Sequence, residues 1–261
     1  VASKLPLSLA QELYGNQLNL STSQIETYYK DPFSHFLQYG LRLKERQEFE
    51  LSPANTGEYF HEFFDQLIKE LNALGLSLRD LTVEKKLAVE KDIFNRMKDN
   101  PKFTILGSSR RLNFVQGLLH QTLMQTTNAL QKQALALETK PWMTEVVFGT
   151  SGNYPIHIPI GKNQSIHLRG KIDRIDLLQS DNGIYNGIID YKSSEQRFEI
   201  AKLIAGVQIQ LLTYLKVSEE IIRSEKGVIP TPLEASYIHV HNPKFSIKEV
   251  PTEDKFMQEW T

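Results

Sequence analysis

Two strand-like segments joined by a tight turn constrain the fold more than any other part of the sequence. The first runs from Ser165 to Leu178 and the second from Ile184 to Ser193. Between them lies Ser180-Asp181-Asn182-Gly183, whose Asn-Gly step suits a tight reversal that needs a positive φ. The sequence therefore predicts two antiparallel strands that fold back on each other, with the rest of the chain as their scaffold.

The predicted hairpin carries two carboxylates and a lysine. Side chains on a strand alternate between faces, so Asp190 and Lys192 project from the same side, roughly 6 to 7 Å apart. The turn folds Asp173 back alongside Asp190. Phosphodiester hydrolysis uses a divalent cation held by carboxylates, and Mg²⁺ favours oxygen ligands. Asp173 and Asp190 fit the ligand role, and Lys192 can place a positive charge near the attacking water or the phosphate.

A plainer interpretation of the hairpin stays open at this point. Its charged residues can form cross-strand surface ion pairs worth under about 1 kcal/mol each. One detail favours a functional site. The apolar residues occupy one face up to Ile172 and the other face from Ile175 onward, which predicts a bend or bulge near Asp173, where sheets often aim a functional side chain.

Caps and apolar periodicity predict a helical first half and a second half that carries the sheet. The predicted helices are two short ones after Ser21, split at Asp31-Pro32, then Thr56 to Ala73, Asp80 or Thr82 to Lys98, Ser108-Ser109 to about Glu138, and Glu199 to Arg223. The further strands are Met143 to Gly149, Ile156 to Ile160 and Leu233 to His241. This pattern predicts an α/β protein with a mixed central β-sheet flanked by helices.

Length and composition place the chain among globular proteins. With 261 residues, 40% hydrophobic, we expect one nuclease-sized domain over residues 21–261, helical over 21–140 and sheet-bearing over 141–261. Residues 1–20 are weakly patterned and start without methionine, which is typical of a segment leading in from a longer protein. No apolar run of about eighteen residues and no signal-like start are present, so we expect a cytoplasmic protein that does not engage a membrane.

Cysteine content and charge exclude several classes of site. The chain has no cysteine, which excludes disulfides, thiolate nucleophiles and metal sites built on sulfur. Any metal must be held by oxygen and histidine. The net charge of −1 gives no global attraction to nucleic acid, although local basic clusters such as Arg110-Arg111 are either solvated surface or a binding patch.

Three further polar residues have two interpretations each. His61 shares a helix face with Gly57, and by itself it fits a histidine at the flank of a helix, hydrogen-bonded to a neighbour. Gln210 and Tyr214 are four apart on a predicted helix, so they can hydrogen-bond a phosphate or a base, or form the edge of the core.

Four motifs in order support a family resemblance. They are Gly57-x-x-x-His61, Gly170-Lys-Ile-Asp-Arg-Ile-Asp176, Ile188-Ile-Asp-Tyr-Lys-Ser-Ser194 and Gln210-Leu-Leu-Thr-Tyr214. Together they resemble the RecB-type branch of the PD-(D/E)XK nuclease superfamily. The segments Asp31 to Phe36 and Tyr39 to Arg46 are similar to the C-terminal nuclease domain of the AddB/RexB subunits of two-subunit helicase-nucleases.

The resemblance implies a restriction-endonuclease-like core and assigns roles to residues. The implied metal ligands are His61, Asp173, Asp190 and the main-chain carbonyl of Tyr191, and the implied catalytic residues are Asp173, Asp190 and Lys192. Gln210 and Tyr214 are implied to support the site and the DNA, and Glu145 matches an acidic residue of many members. The implied cofactor is Mg²⁺, which Mn²⁺ can replace. The implied substrate is single-stranded DNA produced by a partner, the AddA/RexA helicase-nuclease subunit, in double-strand-break repair and recombination.

The chain departs from the pattern in two places. Many AddB-type domains hold an iron–sulfur cluster with a cysteine before a Pro-Phe pair, whereas here Asp31 precedes Pro32-Phe33, so no cluster is expected and members without one are the nearer match. The helicase-like region is also absent from this chain. An alternative function is a catalytically inactive DNA-binding or docking module of the same complex.

Overall fold

The fold is seen in a computed structural model that describes residues 6–15, 17–43, 53–149, 154–160 and 164–240. The helices are α1 (Leu7–Tyr14), α2 (Thr22–Lys30), α3 (Pro32–His35), α4 (Pro53–Ala73), α5 (Val83–Lys98), α6 (Arg110–Ala136), α7 (Ile200–Ile204) and α8 (Gln210–Lys226). The strands are β1 (Gln17–Ser21), β2 (Lys140–Phe148), β3 (Ile156–Pro159), β4 (Ser165–Ser180), β5 (Gly183–Lys192) and β6 (Thr231–His239).

Hydroxyl side chains start three of the helices where the sequence predicted them. Ser21 accepts a hydrogen bond from the N–H of Gln24, whose side chain accepts in return from the N–H of Ser21, so α2 begins with a capping box. Thr82 and Ser109 cap α5 and α6 in the same way, by accepting a hydrogen bond from the third residue onward. Local sequence thus sets where these helices begin.

The apolar stripe predicted on α4 forms the centre of the larger core. Its members are all buried: Phe60, Phe63, Phe64, Leu67 and Leu71. They pack with residues of α5 and α6 and with the sheet, where Ile189 and Tyr191 of β5 belong to the same cluster. Burying one such side chain contributes roughly 1.5–3 kcal/mol, so α4 is held firmly against β5.

The six strands form one mixed sheet in which β4 is the shared member. Its first part pairs with β1 in parallel and with β3 antiparallel, and its second part pairs antiparallel with β2 and β5. β6 then pairs in parallel with β5. Residues Ser180 and Gly183 close the β4–β5 hairpin, with φ of 126° at Gly183, so the predicted reversal at the Asn-Gly step is confirmed.

Helices cover both faces of the sheet. The consecutive residues Ile188 and Ile189 of β5 point to opposite sides, the first into a cluster with α8 and the second into the cluster with α4. This arrangement confirms the predicted α/β architecture with a mixed sheet flanked by helices. In the described part of the chain, no helix is long and apolar enough to cross a membrane.

The single helix predicted from Glu199 to Arg223 is wrong. The structure has two helices, α7 and α8, separated by residues 205–209. Gly206 has φ of 76°, and the buried side chain of Gln208 bonds the N–H of Glu199 and the carbonyl of Arg197. The apolar periodicity continues across Val207, which hid the break. The consequence is that Gln210 is the first residue of a helix.

Residues before 21 contribute to the sheet, although the weak sequence pattern predicts only a leading segment over 1–20. Residues Gln17–Ser21 form β1 and pair with Ser165 to Arg169 of β4. The sheet therefore begins ahead of the predicted start of the domain. Parts of two other predictions, Lys44 to Arg46 and the strand end at His241, lie outside the described residues.

The change of face near Asp173 is present. Ile172 and Ile175 are three positions apart, which a regular strand would place on opposite faces, yet both belong to the cluster with α8. The backbone irregularity that accompanies the change lies on the neighbouring strand. Glu145 of β2, flanked by residues paired with Arg174 and Ile172, has φ of 50°.

Candidate metal centre and active site

Three side chains from three elements converge at one end of the site. Nδ1 of His61 on α4 lies 3.2 Å from Oδ1 of Asp173 on β4 and 3.5 Å from Oε1 of Glu145 on β2. One ligand atom from each residue lies within 4.8 Å of the others. A histidine nitrogen and two carboxylates at this separation are a donor set that suits a divalent cation.

The position of Glu145 depends on strained backbone. A positive φ is uncommon for a residue other than glycine and costs on the order of 1–3 kcal/mol. Val146 and Thr144 on either side remain paired with β4, so the sheet holds Glu145 in this conformation. Strain of this kind is typical of functional sites, and here it accompanies a carboxylate that faces His61.

Electrostatics couple the three groups. Burial lowers the pKa of His61, but hydrogen bonds and charges from Asp173 and Glu145 outweigh burial and raise it to about 10. Burial raises the pKa of Glu145, and His61 and Lys171 outweigh it, so the net shift is downward. His61 is therefore protonated between the two carboxylates at neutral pH. A cation that took this place would release the proton.

A second polar group lies at the end of β5. The ammonium of Lys192 is 2.6 Å from Oδ2 of Asp190 and donates to Oε1 of Gln210 at 3.0 Å. Nε2 of Gln210 donates to Oδ1 of Asp190 at 2.8 Å. The three side chains form a closed triangle. Burial and the charge of Asp173 raise the pKa of the Asp190 carboxyl, against the opposing effect of Lys192.

Tyr191 links the two groups. Its N–H donates to Oδ2 of Asp173 at 2.8 Å, so both oxygens of that carboxylate are engaged. The ring stacks on Phe64 of α4, with centroids 4.4 Å apart, and the hydroxyl accepts a 3.3 Å hydrogen bond from Nη1 of Arg174. The position of β5 relative to α4 is thereby fixed where the metal group and the Lys192 triangle meet.

Tyr214 lies one turn after Gln210 on α8. Its buried hydroxyl hydrogen-bonds the side chains of Gln210 and Thr22, although burial is the larger effect and raises the pKa of Tyr214. Tyr214 therefore holds Gln210 from the side opposite to Asp190. Among the predicted site residues, this one is placed to support the others.

The combination of a His–carboxylate group with an Asp-x-Lys strand end can be compared with known proteins. The sequence model of the PD-(D/E)XK nuclease superfamily matches residues 19–261. The chain belongs to the PD-(D/E)XK nuclease superfamily. The mixed sheet flanked by helices is consistent with the restriction-endonuclease-like core of this superfamily.

Individual relatives of this PD-(D/E)XK chain are named as AddB-type subunits of an ATP-dependent helicase/deoxyribonuclease. The protein from Enterococcus faecalis is 37% identical over 250 residues, covering 94% of this chain and 21% of its own length. The protein from Latilactobacillus sakei is 33% identical over 256 residues, covering 95% of this chain and 21% of its own length. The chain therefore spans about a fifth of the length of these relatives, and it corresponds to their nuclease-domain region.

The PD-(D/E)XK site offers a position that fits a cation. Nδ1 of His61 is buried and makes no hydrogen bond of good geometry to a described residue, although two carboxylates lie beside it. An orphaned nitrogen aimed at two carboxylates fits a ligand position. His61, Glu145 and Asp173 would hold the ion.

The structure groups the predicted residues differently from the sequence. Glu145, predicted to support the site, lies in the metal group, whereas the carboxylate of Asp190, predicted as a ligand, faces Lys192 and Gln210. The main-chain carbonyl of Tyr191 as a ligand stays a prediction.

Three residues with no predicted role also contact this PD-(D/E)XK site. Lys171 pairs with Glu145, the ring of Tyr237 lies 5.4 Å from the ammonium of Lys192, and Glu26 bonds the start of α8. Lys171 was within reach of sequence reasoning, since it precedes Asp173 by two positions on one strand face. Glu26 and Tyr237 carry no local signal, because other elements bring them to the site.

Proposed function

We propose that the chain is a Mg²⁺-dependent deoxyribonuclease domain that hydrolyses phosphodiester bonds of single-stranded DNA. We further propose that it works as part of a longer helicase-nuclease subunit, with an AddA/RexA-type helicase-nuclease partner that supplies the strand, in double-strand-break repair and recombination. The names of the relatives, each an AddB-type component of an ATP-dependent helicase/deoxyribonuclease, support this assignment. The whole complex, its ATP use and its partner belong to the proposal.

One observation carries the proposal. The metal group of His61, Glu145 and Asp173 adjoins the Asp190–Lys192–Gln210 triangle across a single hydrogen bond, from Tyr191 N–H to Asp173. A cation site next to a positioned lysine is what phosphodiester hydrolysis requires. A docking module has no need of either, so the arrangement supports catalysis over the alternative of an inactive DNA-binding module.

Each group has a distinct task in the proposed reaction. When bound, a divalent cation supplies neutralisation of phosphate charge and a lowered pKa for water. Lys192 supplies a fixed positive charge beside the phosphate as negative charge develops on it. Asp190 and Gln210 hold the ammonium in place, and Asp173 aligns the end of β5 through Tyr191. His61 gives up its proton when the site is loaded.

Cleavage of a 5′-labelled single strand by the protein, with its helicase partner where that is needed, tests the proposal. We expect Mg²⁺-dependent products that EDTA abolishes. Lys192→Met should slow cleavage by about 10²–10⁴-fold, while Asp181→Asn in the exposed hairpin turn should leave it unchanged. DNA binding with no cleavage by the unaltered protein would instead support the docking alternative, and full activity of Lys192→Met would refute the role of the lysine.

A further inference from the structure

Helix α8 is capped by a carboxylate from a different helix. Oε1 of Glu26, on α2, accepts hydrogen bonds from the N–H of Ile209 at 2.7 Å and from the N–H of Gln210 at 2.9 Å. The residue at the N-cap position, Ile209, has no side chain that can take this role. Free N–H groups at the start of a helix carry a partial positive charge, which favours a carboxylate there.

The capped residue is the one that contacts the catalytic lysine. Gln210 is the first residue of α8, and its side chain bridges Asp190 and Lys192. Its backbone position depends on where α8 begins, and Glu26 fixes that point. Thr22, four residues before Glu26 on α2, bonds Tyr214 one turn further along α8. α2 therefore holds α8 at two points on the side that faces the site.

A third contact fixes the approach of α2. A Cβ on Gly206 would lie 2.9 Å from the ring of Tyr29, so the ring packs directly on the loop that precedes α8. Glu26 and Tyr29 lie on one side of α2, three residues apart. The loop and the helix start are thus both held by α2, in spite of the break in helical structure at residues 205–209.

We propose that Glu26 is a positioning residue, which acts through Gln210 to hold Lys192 and Asp190 in their productive arrangement. Its effect on the rate rests on the proposed function, whereas the contact itself does not. A helix cap that merely stabilised the fold would leave the rate per folded molecule unchanged. A positioning residue changes that rate, because a misplacement of about 1 Å at a reacting group can cost up to 10²-fold.

The first test separates position from stability. Glu26→Ala should lower kcat for Mg²⁺-dependent cleavage of single-stranded DNA about tenfold, with KM changed less than about twofold. Glu26→Gln keeps an oxygen that can accept both hydrogen bonds and should recover most of the rate. Glu219→Ala, which removes a carboxylate of α8 paired with Lys216, is the matched control and should match the unaltered protein. Equal kcat for Glu26→Ala and the unaltered protein would overturn the proposal.

A double variant tests the route of the effect. If Glu26 acts through Gln210, adding Glu26→Ala to Gln210→Ala should slow cleavage by no more than about twofold further. A full additional tenfold loss in the double variant would show that Glu26 acts by another route and would overturn the proposal.

Amide hydrogen exchange gives a readout without activity. Glu26→Ala should speed exchange at the N–H groups of Ile209 and Gln210 at least about tenfold, with Glu219→Ala unchanged. Unchanged exchange in Glu26→Ala would overturn the inferred contact. An unaltered protein with no cleavage would refute the proposed function, and exchange would then decide by itself whether Glu26 holds Gln210.

Discussion

Nδ1 of His61 lies 3.2 Å from Oδ1 of Asp173, and the other oxygen of the same carboxylate accepts the N–H of Tyr191. Asp173 therefore joins the metal group to the strand that carries Lys192. This single buried side chain makes helix α4, strand β4 and strand β5 meet at the site. Loss of its charge should affect both groups, whereas loss of a neighbour should affect one.

Metal affinity should follow the observed grouping. We expect Glu145→Gln and Asp173→Asn each to weaken Mn²⁺ binding by about 10–100-fold, because both carboxylates lie beside His61. Asp190→Asn should have the smaller effect, because its oxygens are occupied by Lys192 and Gln210. Calorimetric titration with Mn²⁺ measures this order. A larger loss for Asp190→Asn than for Glu145→Gln would contradict it.

A buried ion pair beside the site should be costly to break. Arg174 and Asp176 are both buried and share two hydrogen bonds, of 2.6 Å and 2.5 Å. Asp176→Ala leaves the guanidinium buried without its partner, so we expect a loss of about 3–5 kcal/mol in the free energy of unfolding. The double change Arg174→Met with Asp176→Leu should lose less than Asp176→Ala alone. Urea unfolding compares the two, and a greater loss for the double variant would refute this explanation.

Stability should depend on the ionisation of Glu90. Neither of its oxygens has a hydrogen-bond partner among the described residues, and burial raises the pKa to about 7, against the opposing charge of Lys86. Because the folded state holds this proton more tightly, the stability gained from protonation is full below pH 4.5 and is lost as the pH rises through 7.

Glu90→Gln should remove that dependence. At pH 8 we expect the variant to be more stable than the unaltered protein by ~1–3 kcal/mol, with little difference at pH 4.5. Glu84→Gln changes an exposed glutamate of the same helix and is the control. Thermal melts at both pH values give the comparison, and an equal shift at the two pH values would count against the titration of Glu90.

Two glycines should respond to alanine in opposite directions. At Gly149, φ is 72° and a Cβ would lie 1.9 Å from the carbonyl oxygen of Leu168, so Gly149→Ala should destabilise the protein by more than about 2 kcal/mol. Gly117 lies in helix α6 with open space around it, so Gly117→Ala should stabilise by about 0.5–1 kcal/mol. Chemical unfolding measures both, and a neutral Gly149→Ala would refute the close approach of β2 and β4.

Local signals account for the elements that sequence reasoning predicted. The caps at Ser21, Thr82 and Ser109, the apolar stripe of α4 and the Asn-Gly reversal each depend on neighbours within a few residues. For the same reason, the shared face of Asp190 and Lys192 could be predicted from strand periodicity. The failure at residues 205–209 is also local in origin, because apolar periodicity continued through a segment that Gly206 and the buried Gln208 break.

The sequence by itself determined the hairpin, the helices that flank it and the residue types needed for a metal site. Only the tertiary structure decided that Glu145 joins His61 and Asp173, that Asp190 faces Lys192 and Gln210, and that Glu26 reaches the start of α8. Secondary structure follows from short-range sterics and hydrogen bonds. These contacts join residues far apart in the chain, so they exist only after α4, α8 and α2 have packed on the sheet.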